Sequence, residues 1–403
     1  MPADAAPPVP SGAASARFVR QRTLPGFGIA AQQRLLDARV VVVGAGGLGS
    51  IVIPALAAAG VGTLVIVDDD TVDVTNLHRQ TIHDAVDVGE RKAASAAARV
   101  AALSPDTRVE VRSERLTTTN AARIAEGADL LVDASDNFPT RYLLDDLGTL
   151  AGIPVVWGSV SQYAGQVGVA AGPDAPSYRD LFPVPPAPDA VVSCEVGGVL
   201  PTVCGAIGAL MAGEAIKLLT GVGEPLIGRV AIFDSLTTRF REVEFGRDPE
   251  AEPVTGLIDY ELFCGAGRGD SEADTGRADA GHSSAGRSST GEVTTVTPTE
   301  LAAELRAGSG SAAPPVILDV REPWEIAVAA FPDARPLDPS TPPGIPPLAG
   351  LDPDAPLVVV CHHGIRSDAA ARRLVAQGFT SVRNLAGGID AWAREVDPDL
   401  ARY

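Results

Sequence analysis

Apolar and polar positions follow strand-like and helix-like patterns in turn from about residue 17 to residue 264. Residues 39–43 read Arg-Val-Val-Val-Val, a short β-branched run that predicts a buried strand. A glycine-rich loop follows, then a helical stretch over 50–59 and a second strand over 63–67. This order of strand, helix and strand predicts a βαβ unit with a parallel sheet.

Acidic residues follow the ends of two predicted strands. The second strand ends at Asp68, and a further strand over 129–133 leads into Ala134-Ser135-Asp136-Asn137. Ligands of open α/β sheets bind at the carboxyl ends of the strands. Asp68 and Asp136 are therefore both expected at that edge of the sheet.

Two stretches without charge, residues 40–67 and 196–213, are long enough to suggest membrane spans. The first is cut into short elements by six glycines and by Pro54, and the second runs directly into Glu214 and Lys217. We interpret the first as a strand, a loop, a helix and a second strand, and the second as a buried helix. No membrane association is predicted.

The same patterns divide the chain into domains. Residues 1–16 are rich in Pro, Ala and Ser, lack the pattern of a signal peptide, and are predicted to form a disordered tail. Residues 265–291 contain no large apolar side chain and are predicted to form a flexible linker. The linker separates an α/β domain over 17–264 from a second α/β domain over 292–403.

Composition narrows the classes of function. The 403 residues are 45% hydrophobic and 21% charged, which is typical of globular domains. A net charge of −19 argues against non-specific binding to nucleic acid or anionic membranes. Four cysteines cannot form a disulfide scaffold, so a cytoplasmic location is predicted. Lys92 and Lys217 are the only lysines in the sequence.

The glycine-rich loop follows the pattern GxGxxG, with glycines at 44, 46, 47 and 49. Glycines let the backbone approach a phosphate, and the following helix N-terminus supplies N–H groups. Asp68 stands 19 residues after Gly49, where a carboxylate accepts ribose hydroxyls. These features alone favour a Rossmann fold that binds NAD.

The segment after Asp68 favours a ligand with more phosphate. It contains Asn76, Arg79 and Lys92, and Asp136 is placed to hold Mg²⁺. The chain contains no GxxxxGK[ST] loop, which excludes a Walker-type ATPase.

With these residues in this order, the sequence resembles the ubiquitin-activating-enzyme-like adenylyltransferases of the MoeB/ThiF type. The resemblance covers about residues 17–246 and rests on motifs that occur in the family's order: GAGGLG (44–49), DDDTVDVTNLHRQ (68–80), VGERK (88–92), DASDN (133–137) and CEVGG from Cys194. The family uses ATP and Mg²⁺ to adenylate the C-terminal Gly-Gly carboxylate of a ubiquitin-like sulfur carrier protein.

The resemblance implies roles for these residues. Arg79 and Lys92 would bind the phosphates, Asp136 would hold Mg²⁺, Asp68 would bind the ribose, and Asn76 would orient the phosphates. A solvated helix start is the alternative for Lys92.

Arg20 matches a family arginine that the neighbouring subunit contributes, which implies a homodimer. Without the resemblance, a surface arginine on a fraying terminus would be preferred.

The sequence departs from the family at a structural zinc site. Many members bind zinc through two CxxC pairs, but the first pair's positions are occupied by Ser177-Tyr178-Arg179-Asp180, and the region 246–256 holds no cysteine. Because this tetrahedral site needs four thiolates, zinc is predicted to be absent. In this respect the sequence resembles zinc-less, actinobacterial MoeZ-type members, which also carry a rhodanese domain.

The cysteines of the first domain have different expected roles. Cys194 matches a family cysteine in a mobile loop over the acyl-adenylate, where it would form a transient acyl disulfide or assist sulfur release. The alternative is an inert buried thiol. Cys204 lies in an apolar helix over 202–210 and is assigned to the core, and Cys264 is left open.

A second reactive centre is predicted in the C-terminal domain. Strands are expected over 316–319 and 357–360, the latter running into Cys361, followed by a helix over 368–377. A thiol on a short glycine-containing loop before a helix is placed where N–H groups and the helix dipole stabilise a thiolate. Arg366 is expected to add positive charge.

This domain resembles the rhodanese domain over about residues 293–395, through LDVREPWE (318–325), CHHGIRS (361–367) and NLAGGIDAW (384–392). The resemblance implies that Cys361 carries a persulfide and that Asp319 and Arg321 support the fold near its loop. Metal binding by Cys361, His362 and His363 is disfavoured, since adjacent residues cannot all face one ion.

Together the two domains predict one reaction sequence. The first activates the carrier carboxylate, and the second delivers sulfur from thiosulfate or a cysteine-desulfurase persulfide to form a thiocarboxylate. The alternative is a thiosulfate sulfurtransferase that acts on small acceptors and retains a vestigial nucleotide domain. The resemblance leaves the carrier open among molybdopterin, cysteine, thiamin and natural-product pathways.

Overall fold

A computed structural model of the chain describes residues 16–186, 197–265, 293–306, 314–338, 348 and 351–401. The chain forms two compact units, Met1–Ala273 and Asp274–Tyr403. Nearly all of the predicted tail and linker, and also Cys194, lie outside the described residues.

The first unit contains an eight-stranded sheet in the order β3-β2-β1-β4-β5-β6-β7-β8. The first five strands of that order are parallel, and β6, β7 and β8 continue the sheet antiparallel. The strands are β1 (Arg39–Val43), β2 (Thr63–Val67), β3 (Arg108–Arg112), β4 (Leu130–Asp133), β5 (Val155–Ser161), β6 (Ala164–Ala170), β7 (Arg229–Asp234) and β8 (Arg239–Glu244).

Helices cover both faces of this sheet. They are α1 (Val19–Arg22), α2 (Gly28–Asp37), α3 (Gly49–Ala59), α4 (Lys92–Leu103), α5 (Ala121–Ile124), α6 (Phe138–Ala151), α7 (Tyr178–Leu181), α8 (Pro201–Thr220) and α9 (Tyr260–Phe263), with 3₁₀ turns at Val74–Asn76 and Ala85–Asp87.

The valines of β1 explain why the sheet is covered by helices on both faces, which makes three layers. Val40 and Val42 pack into the cluster formed with α2, α3, α4 and α8, whereas Val41 and Val43 pack into the cluster formed with α5 and α6. A strand that is buried on both faces is typical of a parallel sheet covered by helices. The predicted βαβ unit is confirmed, and β3 is a strand that the sequence analysis did not identify.

The register of the strands brings the predicted site residues to one edge. Val43 pairs with Val67 on one side and with Asp133 on the other. The chain therefore leaves β1, β2 and β4 at the same level of the sheet. Strand order reverses between β1 and β4, which is where open α/β sheets form their ligand crevice.

Helix α8 is the one described helix that is long and apolar enough to cross a membrane. It contributes Val203, Ile207, Met211 and Ala215, each fully buried, to the core beside α3. Core helices of globular proteins meet the same length and composition test. The predicted burial is therefore confirmed for the face of the helix that packs on the core, and the helix extends past residue 210 to Thr220.

The second unit contains a five-stranded sheet in the order β11-β10-β12-β13-β9, with parallel pairs throughout. Its elements are β9 (Thr294–Val296), α10 (Pro298–Arg306), β10 (Val316–Asp319), α11 (Pro323–Val328), β11 (Arg335–Pro336), β12 (Leu357–Val360), α12 (Ile365–Ala376), β13 (Val382–Leu385) and α13 (Gly388–Glu395). Strand β12 is central and fully buried, as the sequence predicts.

Helix α12 begins three residues before the predicted start at residue 368. Gly364 adopts a left-handed conformation with φ +92° immediately before Ile365. An added Cβ at Gly364 would also lie 3.2 Å from the carbonyl oxygen of Leu385. This glycine turn leads straight from the Cys361 loop into the helix.

Candidate active sites

A cleft of about 370 Å³ opens at the carboxyl ends of β1, β2, β4 and β5. It is lined by most of the residues that the sequence analysis selected: Gly44, Gly46, Gly47, Asp68, Arg79, Lys92 and Asp136. Residues from five separate segments of the chain therefore meet in one cavity.

The glycine loop needs its glycines because other backbone passes close to it. Gly44 has φ +98°, and an added Cβ would lie 2.6 Å from the carbonyl oxygen of Ala134. A Cβ at Gly49 would collide with the carbonyl oxygen of Gly44. The loop opens directly into α3, so backbone N–H groups and the helix dipole face an anion at this position.

Asp68 is held rigidly at the end of β2. One carboxylate oxygen accepts the N–H of Ala45 at 2.7 Å and the other accepts the N–H of Asp70 at 2.9 Å. Burial raises the pKa of Asp68 above its ordinary value, and the two N–H groups oppose that shift. Asp68 thus fixes the glycine loop while it lines the cleft.

Two cationic side chains reach the cleft, and they differ in whether a carboxylate already pairs with them. Lys92 begins α4 with its side chain only 8% exposed, and its Nζ lies 2.8 Å from Asp70. This burial disagrees with the alternative of a solvated helix start. Arg79 donates to the carbonyl oxygen of Thr75 at 3.2 Å, and in the described part of the chain it has no carboxylate partner. Arg79 is thus a cation available to an anionic ligand.

The loop that carries Asp136 is fixed by Arg141, which the sequence analysis missed. Arg141 is 4% exposed and donates to Asp133 at 2.7 Å, to the carbonyl oxygen of Ser135 at 3.2 Å and to that of Gly158 at 2.7 Å. Asp136 itself is exposed and has no ion pair or side-chain hydrogen bond among the described residues. A signal for Arg141 existed, since it stands beside the apolar run 142–144, five residues after Asp136, and one turn before a second charged residue, Asp145.

Gln80 and Cys204 also line the cleft. Gln80 is 4% exposed, and its Oε1 is buried without a hydrogen-bond partner among the described residues, so it is an acceptor that a ligand donor can satisfy. Cys204 is buried, as predicted for a core residue, and its Sγ would lie 2.9 Å from a Cβ added at Gly47.

Asn76 and Arg20 do not line the cleft within the described residues. Asn76 belongs to a 3₁₀ turn, and its Oδ1 accepts the N–H of Asp73 at 3.3 Å. Arg20 is exposed on α1, which is anchored through the neighbouring Gln21, whose Nε2 donates to the carbonyl oxygen of Ala59 at 3.0 Å. This anchoring disagrees with the alternative of a fraying terminus.

The positions of the family's first CxxC pair participate in direct protein bonds. Arg179 donates to both carboxylate oxygens of Asp146 at 2.6 and 2.8 Å, and the hydroxyl of Tyr260 donates to the same carboxylate at 2.6 Å. Asp180 accepts the N–H of Asp248 at 2.9 Å. The segments near residues 178 and 248 are thereby joined without a metal ligand.

The second unit holds Cys361 at the end of β12 with 1% exposure. Its Sγ accepts the N–H of Gly364 at 3.1 Å and the hydroxyl of Ser367 at 3.2 Å. Ser367 also lies 2.7 Å from Oδ1 of Asn384, whose Nδ2 donates to the carbonyl oxygen of Gly364 at 3.0 Å. Because Oδ1 of Asn384 can only accept, the single hydroxyl hydrogen of Ser367 is shared between that oxygen and the sulfur, and the N–H of Gly364 is the unshared donor at Sγ. The N-terminus of α12 also faces the sulfur, and a helix N-terminus stabilises negative charge on sulfur.

Charges near Cys361 are paired. Arg366 donates to both carboxylate oxygens of the buried Glu325, which partly neutralises its charge. The sequence analysis expected that charge to act on the sulfur, and the pairing with Glu325 reduces this effect. Asp319 and Arg321 form a buried pair at 2.6 Å, which confirms their supporting role in the fold.

The two histidines next to Cys361 face each other rather than a shared point with the sulfur. Their rings stack on one another with centroids 4.0 Å apart. In the described part of the chain, the ligand atoms of Cys361, His362 and His363 do not converge as those of a metal site would.

Comparison with known proteins identifies both units. A model of the ThiF family matches residues 18–254, and a model of the rhodanese-like domain matches residues 297–395. A protein of Mycobacterium tuberculosis named probable adenylyltransferase/sulfurtransferase MoeZ is 41% identical over 96% of this chain and 95% of its own length. The sulfur carrier protein adenylyltransferase of Thermus thermophilus is 48% identical over 62% of this chain and 96% of its own length.

A solved structure shares the fold of the first unit. The structure of E. coli MccB with ATP superposes with a TM-score of 0.53 at 20% identity, over 60% of this chain and 72% of that one. The chain therefore belongs to the ThiF family, and it is an enzyme of the adenylyltransferase/sulfurtransferase type that joins a ThiF domain to a rhodanese-like domain.

Proposed function

We propose that this enzyme adenylates the C-terminal Gly-Gly carboxylate of a ubiquitin-like sulfur carrier protein and then converts it to a thiocarboxylate. The observation that carries the proposal is the meeting of a glycine loop, Arg79 and Asp136 in one cleft, in a chain that also holds the Cys361 loop. Among the described residues neither Arg79 nor Asp136 has an ion-pair partner, although Arg79 donates to neighbours in its own turn. A vestigial nucleotide domain is disfavoured, because a cleft without function has no reason to retain these side chains.

The first step is the attack of the carrier carboxylate on the α-phosphorus of ATP, which expels pyrophosphate. Such a reaction needs positioning and neutralisation of charge, with no covalent catalyst. Asp68 binds the ribose, the glycine loop and α3 bind phosphate, and Arg79 and Lys92 neutralise developing charge. Lys92 stays within reach of Asp70, which keeps it ordered before ATP binds. Asn76 orients the phosphates from the adjoining 3₁₀ turn.

Mg²⁺ fits the residues of the cleft. Asp136 offers an exposed carboxylate that no described cation neutralises, and carboxylate oxygen is a preferred ligand of Mg²⁺. Bound there, the ion supplies charge neutralisation for the phosphates. Arg141 contributes by fixing the loop that presents Asp136.

The second step transfers sulfur from a persulfide on Cys361. The persulfide forms when the Cys361 thiolate takes the outer sulfur of thiosulfate and sulfite leaves, or takes the outer sulfur of a cysteine-desulfurase persulfide and the desulfurase thiolate leaves. The terminal sulfur attacks the acyl carbon, the bond from that carbon to the phosphate oxygen breaks, and AMP leaves. The product is an acyl disulfide between the carrier and Cys361. A thiolate, here assigned to Cys194, attacks Sγ of Cys361 and releases the thiocarboxylate; the resulting protein disulfide is reduced by an external dithiol.

The working assembly is proposed to be a cytoplasmic homodimer in which Arg20 completes the neighbouring subunit's cleft. Its support is the anchored position of α1, which holds Arg20 at the surface away from its own cleft.

The enzyme is also proposed to work without zinc, because direct bonds join the segments near residues 178 and 248. Arg179→Met is expected to lower the free energy of unfolding by about 3 kcal/mol, since it leaves the buried Asp146 without its cation. Chelators are expected to leave the melting temperature unchanged. The matched control is Arg123→Met, which removes an exposed pair and is expected to have little effect. One bound zinc per chain, found by elemental mass spectrometry, contradicts this prediction.

The proposed function is tested by intact-mass spectrometry of a carrier ending in Gly-Gly, incubated with enzyme, ATP, Mg²⁺, thiosulfate and the dithiol that reduces the enzyme disulfide. We expect a gain of about 16 Da, the exchange of one oxygen for sulfur, because acyl substitution couples both steps. Omission of ATP is the control and is expected to leave the carrier mass unchanged. Unaltered carriers alongside active transfer of thiosulfate sulfur to cyanide would favour the sulfurtransferase alternative.

A further inference from the structure

His83 is a buried histidine directly behind the nucleotide cleft, and no step above uses it. It is 4% exposed in the loop between the two 3₁₀ turns. Its Nε2 lies 3.0 Å from the carbonyl oxygen of Ala45, and its Nδ1 lies 2.7 Å from Oγ of Ser95. Both ring nitrogens are therefore engaged, one with the glycine loop and the other with α4.

The partners define which nitrogen carries the proton. A carbonyl oxygen only accepts, so Nε2 must donate to Ala45. Burial lowers the pKa of His83, and Lys92 acts in the same direction, whereas the bond to the Ala45 carbonyl and the carboxylates of Asp68 and Asp87 oppose the shift. In the neutral ring Nδ1 is an acceptor, so the single hydroxyl hydrogen of Ser95 is shared between Nδ1 at 2.7 Å and the carboxylate of Asp87 at 2.9 Å.

His83 joins two parts of the phosphate-binding apparatus. The peptide groups of Ala45 are held at both ends, the N–H by Asp68 at 2.7 Å and the carbonyl by His83. Ser95 stands three residues after Lys92 on the same helix, so the two side chains lie on one face of α4. The histidine ring therefore bridges the glycine loop and the helix that presents the buried lysine.

We infer that His83 is a positioning residue for ATP binding, which sets the spacing between the glycine loop and Lys92 through its bonds to Ala45 and Ser95. The inference rests on the proposed adenylation function and adds to it a residue that does not line the cleft. Loss of the ring would leave the carbonyl of Ala45 buried without a donor, so the loop would shift to find one.

The test compares His83→Phe with His83→Gln in ATP–pyrophosphate exchange. Phenylalanine keeps the volume and removes both hydrogen bonds, and we expect the KM for ATP to rise about tenfold while kcat changes less than threefold. Glutamine retains a donor at the position of Nε2, and we expect it to restore the KM to within about threefold of wild type. A purely structural role would reduce the active fraction, which lowers the apparent kcat and leaves the KM unchanged.

Thr107→Val is the matched control, because it removes a buried hydroxyl bond to the carbonyl oxygen of Val61 in the same unit, away from the cleft. Its KM for ATP is expected to stay at the wild-type value. Calorimetric titration with ATP and Mg²⁺ repeats the comparison without a carrier. An unchanged affinity in His83→Phe, or an equal loss in His83→Gln, would overturn the inference. A wild-type enzyme that binds ATP but catalyses no exchange would instead contradict the proposed function.

Discussion

Cys361→Ser is expected to abolish thiocarboxylate formation while carrier adenylation continues at the wild-type rate. Thiocarboxylate yield should fall at least ~10³-fold, because removal of a covalent nucleophile leaves only residual catalysis. Serine keeps the shape of the loop and the donors from Gly364 and Ser367, so the fold should persist. The two activities are measured separately, thiocarboxylate by intact carrier mass and adenylation by pyrophosphate exchange.

Cys264→Ser is the matched control for this variant. Cys264 is half-buried in the first unit, and burial raises its pKa to about 11, which keeps it a thiol at neutral pH. We expect this substitution to leave the thiocarboxylate yield unchanged. Thiocarboxylate formation by Cys361→Ser with a persulfide donor would mean that sulfur reaches the carrier by a route that bypasses the rhodanese-like domain.

The position of Cys361 explains why the sulfur site could be located from sequence. The loop, its preceding strand and the following helix are contiguous, so a short stretch of chain contains the whole pattern. What the sequence does not reveal is the pairing of Arg366 with Glu325, which stands 41 residues earlier on another helix. That pair changes the local charge, and only the fold brings it together.

In the nucleotide cleft, too, contacts between residues far apart in sequence could not be predicted. The glycine loop and Asp68 could be predicted because strand, turn and helix periods mark their places. The residues that the sequence analysis missed make contacts between distant parts of the sequence. His83 contacts Ala45, which precedes it by 38 residues, and Arg141 contacts Gly158, which follows it by 17 residues. Each of them supports a loop whose functional residue had been identified. Backbone acceptors carry no side-chain pattern, so sequence alone cannot show which donor satisfies them.

Two sets of carboxylates are candidates for the proposed Mg²⁺ site in this cleft, and mutating each set separately distinguishes them. Asp136 stands alone on one side, whereas Asp68, Asp69 and Asp70 place their oxygens within 4.8 Å of one another on the other side. Two of those three are already engaged, Asp68 with backbone N–H groups and Asp70 with Lys92. Asp136 has no such partner among the described residues, and this favours Asp136 as the ligand of Mg²⁺.

Asp136→Asn is therefore expected to lower the kcat of adenylation at least ~100-fold, because it removes the anionic ligand that holds the charge-neutralising ion. The concentration of Mg²⁺ at half-maximal rate should rise at least about tenfold. Sulfur transfer from thiosulfate to cyanide should remain unchanged, since Cys361 belongs to the other unit. The measurements are pyrophosphate exchange against Mg²⁺ concentration and cyanide-dependent thiocyanate release.

Asp69→Asn supplies the comparison, since Asp69 also lines the cleft and loses the same charge. If Asp136 holds the ion, Asp69→Asn leaves the Mg²⁺ dependence within about twofold of wild type, because the exposed Asp69 then supplies no oxygen ligand and acts on the ion only through water. If the Asp68–Asp70 cluster holds the ion, Asp69→Asn raises the Mg²⁺ concentration at half-maximal rate and Asp136→Asn leaves it near the wild-type value. That outcome would move the metal to the ribose side of the cleft and would contradict the role proposed for Asp136.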